Sequence, residues 1–203
     1  MSKSYCKILP VFFFLSTLIG VAQNKQEITI KLYTVSSEKA NEEFEHAEYL
    51  RKNNNYERAI ESYTDIINSD ADEKVKAESF YNIGFCYMKN GEYELAENVF
   101  NELIAEYPDN EEAVGFSSFC LAEIDIWKGN STNALKRLNN IVEQESVSDD
   151  FCAAAQLKVV DIYLLEQNDK SNAKNIFNDL VKKYKDTKAV NNTLIEQYNK
   201  ILN

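Results

Sequence analysis

His46 is the only histidine in the 203-residue chain, so any hydrolytic or proton-shuttling chemistry built on imidazole would have to be assembled around it. A serine or cysteine nucleophile needs a base within hydrogen-bond reach, and a single histidine inside an apolar helical pattern is a poor start for such a constellation. His46 falls on the side expected to face a partner helix, which makes it a core or boundary residue in this reading. The acidic clusters Asp109 to Glu112 and Asp149-Asp150 stand at predicted helix starts, where carboxylates offset exposed N–H groups, and they lack the twelve-residue loop of a calcium site. No glycine-rich phosphate loop is present. The chain is therefore read as non-catalytic, with no cofactor and no metal.

Cysteine chemistry is equally sparse. Cys86, Cys120 and Cys152 lie within or beside apolar helical stretches, without the CxxC spacing that zinc or redox work would need. Small buried core residues are one reading; a Cys86 to Cys120 bridge in an oxidising compartment is the other.

The residues capable of recognition are the aromatics, and their placement depends on the elements that carry them. Residues 77–110, AESFYNIGFCYMKNGEYELAENVFNELIAEYPDN, form one complete helix-turn-helix unit. Phe80, Ile83, Gly84 and Tyr87 recur at helical spacing. Asn90-Gly91 then ends the first helix, because glycine accepts the left-handed backbone of a helix C-cap. The second helix carries Tyr93, Ala96, Phe100, Leu103 and Ile104 on one face and stops at Tyr107-Pro108. Gly84 and Ala96 are small, which lets two antiparallel helices approach closely.

With Ala96 as the anchor, matching alanines stand at Ala59, Ala134 and Ala173, the interval lengthening by one position from each unit to the next. Each is followed four positions later by Tyr63, Leu138 or Phe177 and preceded by a polar or glycine turn. Four units result, over about 40–73, 77–110, 115–148 and 154–186, with the surplus residues between units, where a stack of repeats tolerates insertion. After them, Val190, Leu194, Tyr198 and Ile201 share one stripe of 187–203. That stripe predicts a capping helix, since the last unit would otherwise leave its apolar face in water, the alternative being a docking helix for another protein.

The N-terminus reads differently. Lys3 and Lys7 precede an apolar run from Ile8 to Ala22, which falls short of the ~20 apolar residues that a spanning helix requires. With Gly20-Val21-Ala22 as small residues, 1–22 reads as a secretory signal peptide cleaved after Ala22, the alternative being an uncleaved anchor. The expected address is periplasmic or secreted. Cleavage removes two lysines and no acid, moving the net charge from −11 to −13; such a surface repels nucleic acid and anionic lipid. Residues 23–38 follow, in which Ile28, Ile30 and Leu32 alternate with Thr29, Lys31 and Tyr33. Alternation marks an extended segment, which serves as a tether, lies along the helical surface or adds to a partner's sheet edge. With 5 glycines and 2 prolines, the remainder favours helices joined by short turns.

The unit at 77–110 resembles the tetratricopeptide repeat (TPR) over its whole length, with Phe80 at the usual tryptophan position, then Ile83-Gly84, Tyr87, Ala96, Phe100 and Pro108. The resemblance implies an all-α, right-handed solenoid of about four repeats whose concave face is lined by the first helix of each. It also implies protein or peptide partners; the alternatives are a structural subunit that self-associates as a homodimer through the same surface, and an envelope enzyme or ligand-binding protein. In the second repeat the concave positions are Glu78, Tyr81, Phe85, Met88 and Lys89. Transfer gives Asn41, Phe44, Glu48, Arg51 and Lys52 in the first repeat and Phe116, Phe119, Glu123, Ile126 and Trp127 in the third. In the fourth it gives Ala155, Lys158, Ile162, Leu165 and Glu166. The expected partner groove is thus Phe44, Arg51, Tyr81, Phe85, Met88, Phe116, Phe119, Ile126, Trp127 and Ile162, an aromatic wall on which a self-contained solenoid has no call. It does not resemble the carboxylate-clamp type, since Phe44 and Glu48 stand where lysine and asparagine are wanted. The phrase AENVFNELIAEYPDNEEA is also similar to repeats of bacterial periplasmic and outer-membrane assembly factors.

Overall fold

A computed structural model describes residues 38–143 and 147–202. The expected signal peptide and the alternating segment at 28–33 lie outside them. The described residues are helices joined by short turns: α1 over 38–52, α2 Tyr56–Ile67, α3 Glu73–Lys89, α4 Tyr93–Glu106, α5 Glu111–Trp127, α6 Ser131–Val142, α7 Asp149–Asp161, α8 Lys170–Lys183 and α9 Asn192–Leu202. Each packs against the next, and α3 also touches α5. This is the layout of a TPR-like solenoid, with α1, α3, α5 and α7 as the first helices of consecutive pairs.

The quasi-repeat is visible in the buried residues. Ala59, Ala96, Ala134 and Ala173 are fully buried on α2, α4, α6 and α8, and Tyr63, Phe100, Leu138 and Phe177 lie one turn further on at 0–1% exposure. The alanine lets the paired helix come close, and the large residue fills the space beside the contact. Gly84 of α3 takes this to its limit: a Cβ there would stand 2.5 Å from the Phe100 ring.

Local chemistry explains the turns. Within each pair the chain reverses through one left-handed residue: Asn54, Gly91, Gly129 or Asn168, with φ between 51° and 81°. Asparagine and glycine are the residues that adopt this conformation most readily. In three of the four, the next N–H reaches back to a carbonyl five residues earlier: Asn55 to Leu50, Glu92 to Tyr87 and Asn130 to Asp125. That bond closes a Schellman-type C-cap. Between pairs, the chain enters α3, α5 and α7 through side-chain N-caps, with Asp72, Asn110 and Ser148 accepting from Val75, Ala113 and Phe151. Glu111-Glu112 and Asp149-Asp150 fall in the first turns so opened.

The fourth pair departs from the others. α7 continues into a π-helical turn, Ile162–Glu166, and Asp169 N–H bonds the Tyr163 carbonyl six residues back. A π turn accommodates one extra residue. Up to that turn α7 repeats α5 in the register that pairs Val160 with Ala122, so Val159, Val160 and Ile162 are buried as Leu121, Ala122 and Ile124 are. After it, α8 repeats α6 in the register that pairs Ala173 with Ala134, one position longer. The fourth-repeat concave positions, transferred in that longer register, are therefore one residue out. Ile162 is a core residue at 1% exposure, packed with Leu138 and Ile141, and lines no groove.

At the far end α9 lies over α8 and α7. Leu202 is buried with Val160, Ala173 and Phe177, the Tyr198 ring stacks on Phe177 at 4.9 Å, and the Tyr198 hydroxyl donates to Asp161. Ile201, expected on the covered stripe, is half exposed, and Leu202 takes its place. Cys86, Cys120 and Cys152 are free thiols in three different core clusters, which disposes of a Cys86 to Cys120 bridge here. Burial pushes the Cys86 and Cys120 thiols up to about 12, and such thiols are poor nucleophiles.

Candidate functional site

Between α1, α3 and α5 the first helices enclose a hollow of about 230 Å³, lined by Glu48 and Arg51 from α1, Glu78, Tyr81 and Asn82 from α3, and Asn110, Glu112, Ala113 and Phe116 at α5. A second hollow of about 270 Å³ shares Glu112 and Phe116 and continues to Val147, Ser148 and Phe151 at the start of α7. Together they form one groove that draws on the first helices of all four repeats.

Its floor is aromatic. Tyr81 lies 5.6 Å from Phe116, 6.2 Å from Phe85 and 6.1 Å from the buried Phe100. Phe116 meets Phe151 edge-on at 4.6 Å, and Phe119 lies 5.5 Å from Phe151. These rings come from positions that α3, α5 and α7 turn to the same side at one- and two-turn spacing. The run Phe85, Tyr81, Phe116, Phe151, Phe119 is thus continuous, and Phe85, Phe116, Phe119 and Phe151 are each only partly covered.

At one end the floor meets a charged corner. Arg51 grips Glu48 through two bonds of 2.8 Å from its Nε and Nη2, and the buried Tyr63 hydroxyl donates to Glu48 Oε1 at 2.6 Å. The bond from Arg51 is the leading reason the Glu48 carboxyl is held down to about 2, against the cost of its burial. Arg51 and Lys89 both approach the Phe85 ring face, at 5.3 and 5.0 Å from its centroid, a favourable placement for a cation. Glu48→Gln should lower stability at pH 7 by ~1–2 kcal/mol, after allowance for solvent screening. Because the folded-state carboxyl titrates below its ordinary range near 4.5, this contribution is fully present above that value and is lost as pH falls towards 2. Urea titrations of wild type and variant should therefore differ at pH 7 and converge by about pH 2.

Along the rim stand Glu78 and Glu112. Burial, and beyond it the neighbouring carboxylates of Glu112 and Asp72, raise Glu78, against the pull of Lys74 at 3.8 Å. Further along, Lys158 bridges Glu123 at 2.9 Å. The groove can therefore grip bulky apolar side chains on its floor and attract a cation at the Glu78–Glu112 rim.

Of the ten residues expected to line the groove, Arg51, Tyr81 and Phe116 line the first hollow, while Phe85 and Phe119 extend its aromatic floor. Phe44 packs edge-on against Tyr63 at 5.6 Å, and Met88 and Ile126 pack into neighbouring cores. Trp127 is 61% exposed, but its ring lies 4.3 Å from Tyr93 on α4, at the end of α5 where Lys128 pairs with Glu97. It belongs to that edge, away from the Tyr81–Phe116 floor. The expectation missed Phe151, Asn82, Asn110, Glu112 and Ala113. In the register that pairs Val160 with Ala122, Phe151 is the counterpart of Ala113, one turn before the first transferred concave position, so that spacing does not reach it. His46, expected as a core or boundary residue facing the partner helix, is exposed on α1 at a surface hollow that Ser62 and Asp65 of α2 also line. Among the described residues no group of three or more His, Cys, Asp and Glu could hold a metal ion, and no helix is long and apolar enough to cross a membrane.

The family model described as tetratricopeptide repeat protein 21 ARM repeat matches residues 30–180. No curated protein matches the sequence significantly. Among solved structures, the chain is similar to the nearly identical TPR-like repeats of a Podosopora anserina protein assigned to the kinesin light chains. The two share 16% identity over 72% of this chain and 75% of that one, with a TM-score of 0.57. At that identity the likeness concerns the fold.

Proposed function

Since the chain belongs to the tetratricopeptide repeat protein 21 ARM repeat family, we propose that it is a non-catalytic adaptor of the cell envelope, holding a segment of a protein partner in the concave groove of α1, α3, α5 and α7. TPR-like repeats generally mediate protein–protein interaction, and the observation that carries the reading here is the partly open aromatic run from Phe85 to Phe119, continuous across three repeats. Rings exposed along a concave surface are what an interaction site needs: large contact area at little entropic cost. An export address follows from the apolar leader at 8–22 and the basic residues before it. Among the described residues the exposed His46 shares a surface hollow with Ser62 and Asp65 but makes no hydrogen bond to either, which favours binding over catalysis.

The test is quantitative capture in the native host with the tagged chain, in vivo crosslinking and mass spectrometry. Phe116→Glu places a charge on the floor and should lower recovery of the partner at least tenfold, the effect of losing ~1.4 kcal/mol or more at a hot spot. Trp127→Glu changes an even more exposed aromatic away from the floor and should leave recovery unchanged. Equal recovery with all three chains, each folded by circular dichroism, would place the interaction elsewhere.

A further inference from the structure

We infer that in the unengaged protein the groove is filled by the chain's own residues 28–33, with Ile28, Ile30 and Leu32 on the aromatic floor and Lys31 at the Glu78–Glu112 rim. This rests on the reading that the groove is the binding site and adds how that site is regulated. Residues 28–33 lie outside the described residues, so the argument comes from the groove, the sequence and the length of chain between them.

The chemistries match. The groove offers Tyr81, Phe116 and Phe151 as a floor and Glu78 and Glu112 on its rim, while Glu48 is already neutralised by Arg51. An occupant should therefore be extended, apolar on one face and basic on the other. In the sequence ITIKLY the apolar side chains fall at every second position, which in an extended chain puts them on one face with Lys31 opposite. The long Lys31 side chain can bend from that second face towards Glu78 and Glu112, which line the first hollow. No other extended stretch with this pattern adjoins the repeats.

The length also suffices. From residue 38 at the described start of α1 to Glu48 is about 15 Å along the helix axis. From residue 33 back to 38 the extended chain covers up to ~17 Å. Tyr33 can therefore come level with Glu48 and Arg51, and 28–32 can span a further ~16 Å across α3 and α5 to Tyr81 and Phe116. So short a tether holds the segment at an effective concentration in the millimolar range, so an intrinsic affinity of only ~100 μM keeps it bound most of the time. A true partner would then have to displace it, and weakening the segment should strengthen capture.

The experiment uses the full chain with the photoreactive residue p-benzoylphenylalanine replacing Ile30, irradiated at low protein concentration and mapped by mass spectrometry. Crosslinks within one chain to 78–85 and 112–119 are expected. Adding Lys31→Glu should weaken the segment about fivefold and so lower their yield by about a quarter, and combining Lys31→Glu with Glu78→Lys should restore it. Crosslinks to the outer faces of α2, α4 or α6, crosslinks only between chains, or none at all would each overturn the inference. The outcomes separate it from the adaptor reading. A groove that captures its partner through Phe116 yet takes no crosslink from position 30 leaves the adaptor standing and removes the self-occupancy. Crosslinks in the groove with partner capture indifferent to Phe116→Glu do the reverse.

Discussion

Gly84→Ala should destabilise the protein by ~1–3 kcal/mol and Gly84→Leu by more than ~3 kcal/mol, read from urea unfolding followed by far-ultraviolet circular dichroism. The sign is the diagnostic part. In an ordinary helix interior, replacing glycine by alanine stabilises by about 0.5–1 kcal/mol, because glycine has more backbone freedom to lose. At Gly84 the new Cβ would stand 2.5 Å from Cε1 of Phe100 and 2.8 Å from two further ring atoms. The ring has nowhere to go: it is fully buried among Ala96, Cys120, Leu121 and Ile124, with Tyr81 at 6.1 Å. Phe100→Leu opens the space, so the double variant Gly84→Ala, Phe100→Leu should lose ~1–2 kcal/mol less than the sum of the single losses. A stabilising Gly84→Ala would mean that α3 and α4 do not meet at that point.

Ending the chain after Ala189 carries the second large effect. It removes Val190, which packs with Cys152, Leu180 and Tyr184, and α9, whose Leu202 and Tyr198 cover Val160, Ala173 and Phe177. Each buried apolar side chain contributes ~1.5–3 kcal/mol, offset by the entropy of ordering the segment. A net loss of ~3–5 kcal/mol should lower Tm by roughly 10 °C or more in a chain of this size. In a stack whose units touch only their neighbours the damage should be local first: α7 and α8 lose hydrogen-exchange protection while α3 and α4 keep theirs. Tyr198→Ala alone should reproduce ~2–4 kcal/mol of the loss, since it removes both the stack on Phe177 and the bond to Asp161. Uniform loss of protection along the chain would argue against a solenoid held by neighbour contacts.

The second helices were legible because a small residue and a large one four positions later recur with a polar turn before them, and close packing needs both. Ala59, Ala96, Ala134 and Ala173 all sit where that pattern puts them. The first helices were harder. Their faces are covered on several sides at once, so the helical period is blurred, and a one-residue π turn at 162–166 leaves no glycine or proline to mark it. Its trace was still in the spacings: the step from Ala134 to Ala173 is one position longer than the step from Ala122 to Val160. The longer register puts Ile162 on the concave wall for this one reason; Phe151, the counterpart of Ala113, lies one turn before the first of the transferred concave positions.

His46 illustrates a different limit. Its counterpart Ile83 is buried against the first pair, whereas α1 is the first of the described helices and no preceding pair of described helices lies against it. Position in a stack, which no local pattern encodes, decides its exposure. Trp127 lies in the last turn of α5, where its counterpart Lys89 is exposed as well; its ring found Tyr93 of the preceding pair. The rim carboxylates Glu78 and Glu112 come from different repeats and meet through the superhelical stacking of α3 on α5.

Hydrogen–deuterium exchange of the protein alone and with its captured partner tests most directly whether the groove is the binding surface. Binding in the groove predicts slower exchange in peptides covering 78–85 and 110–119, with α4 and α6 unchanged. Protection confined to α4, α6 or α9, with 78–85 and 110–119 unaffected, would contradict it.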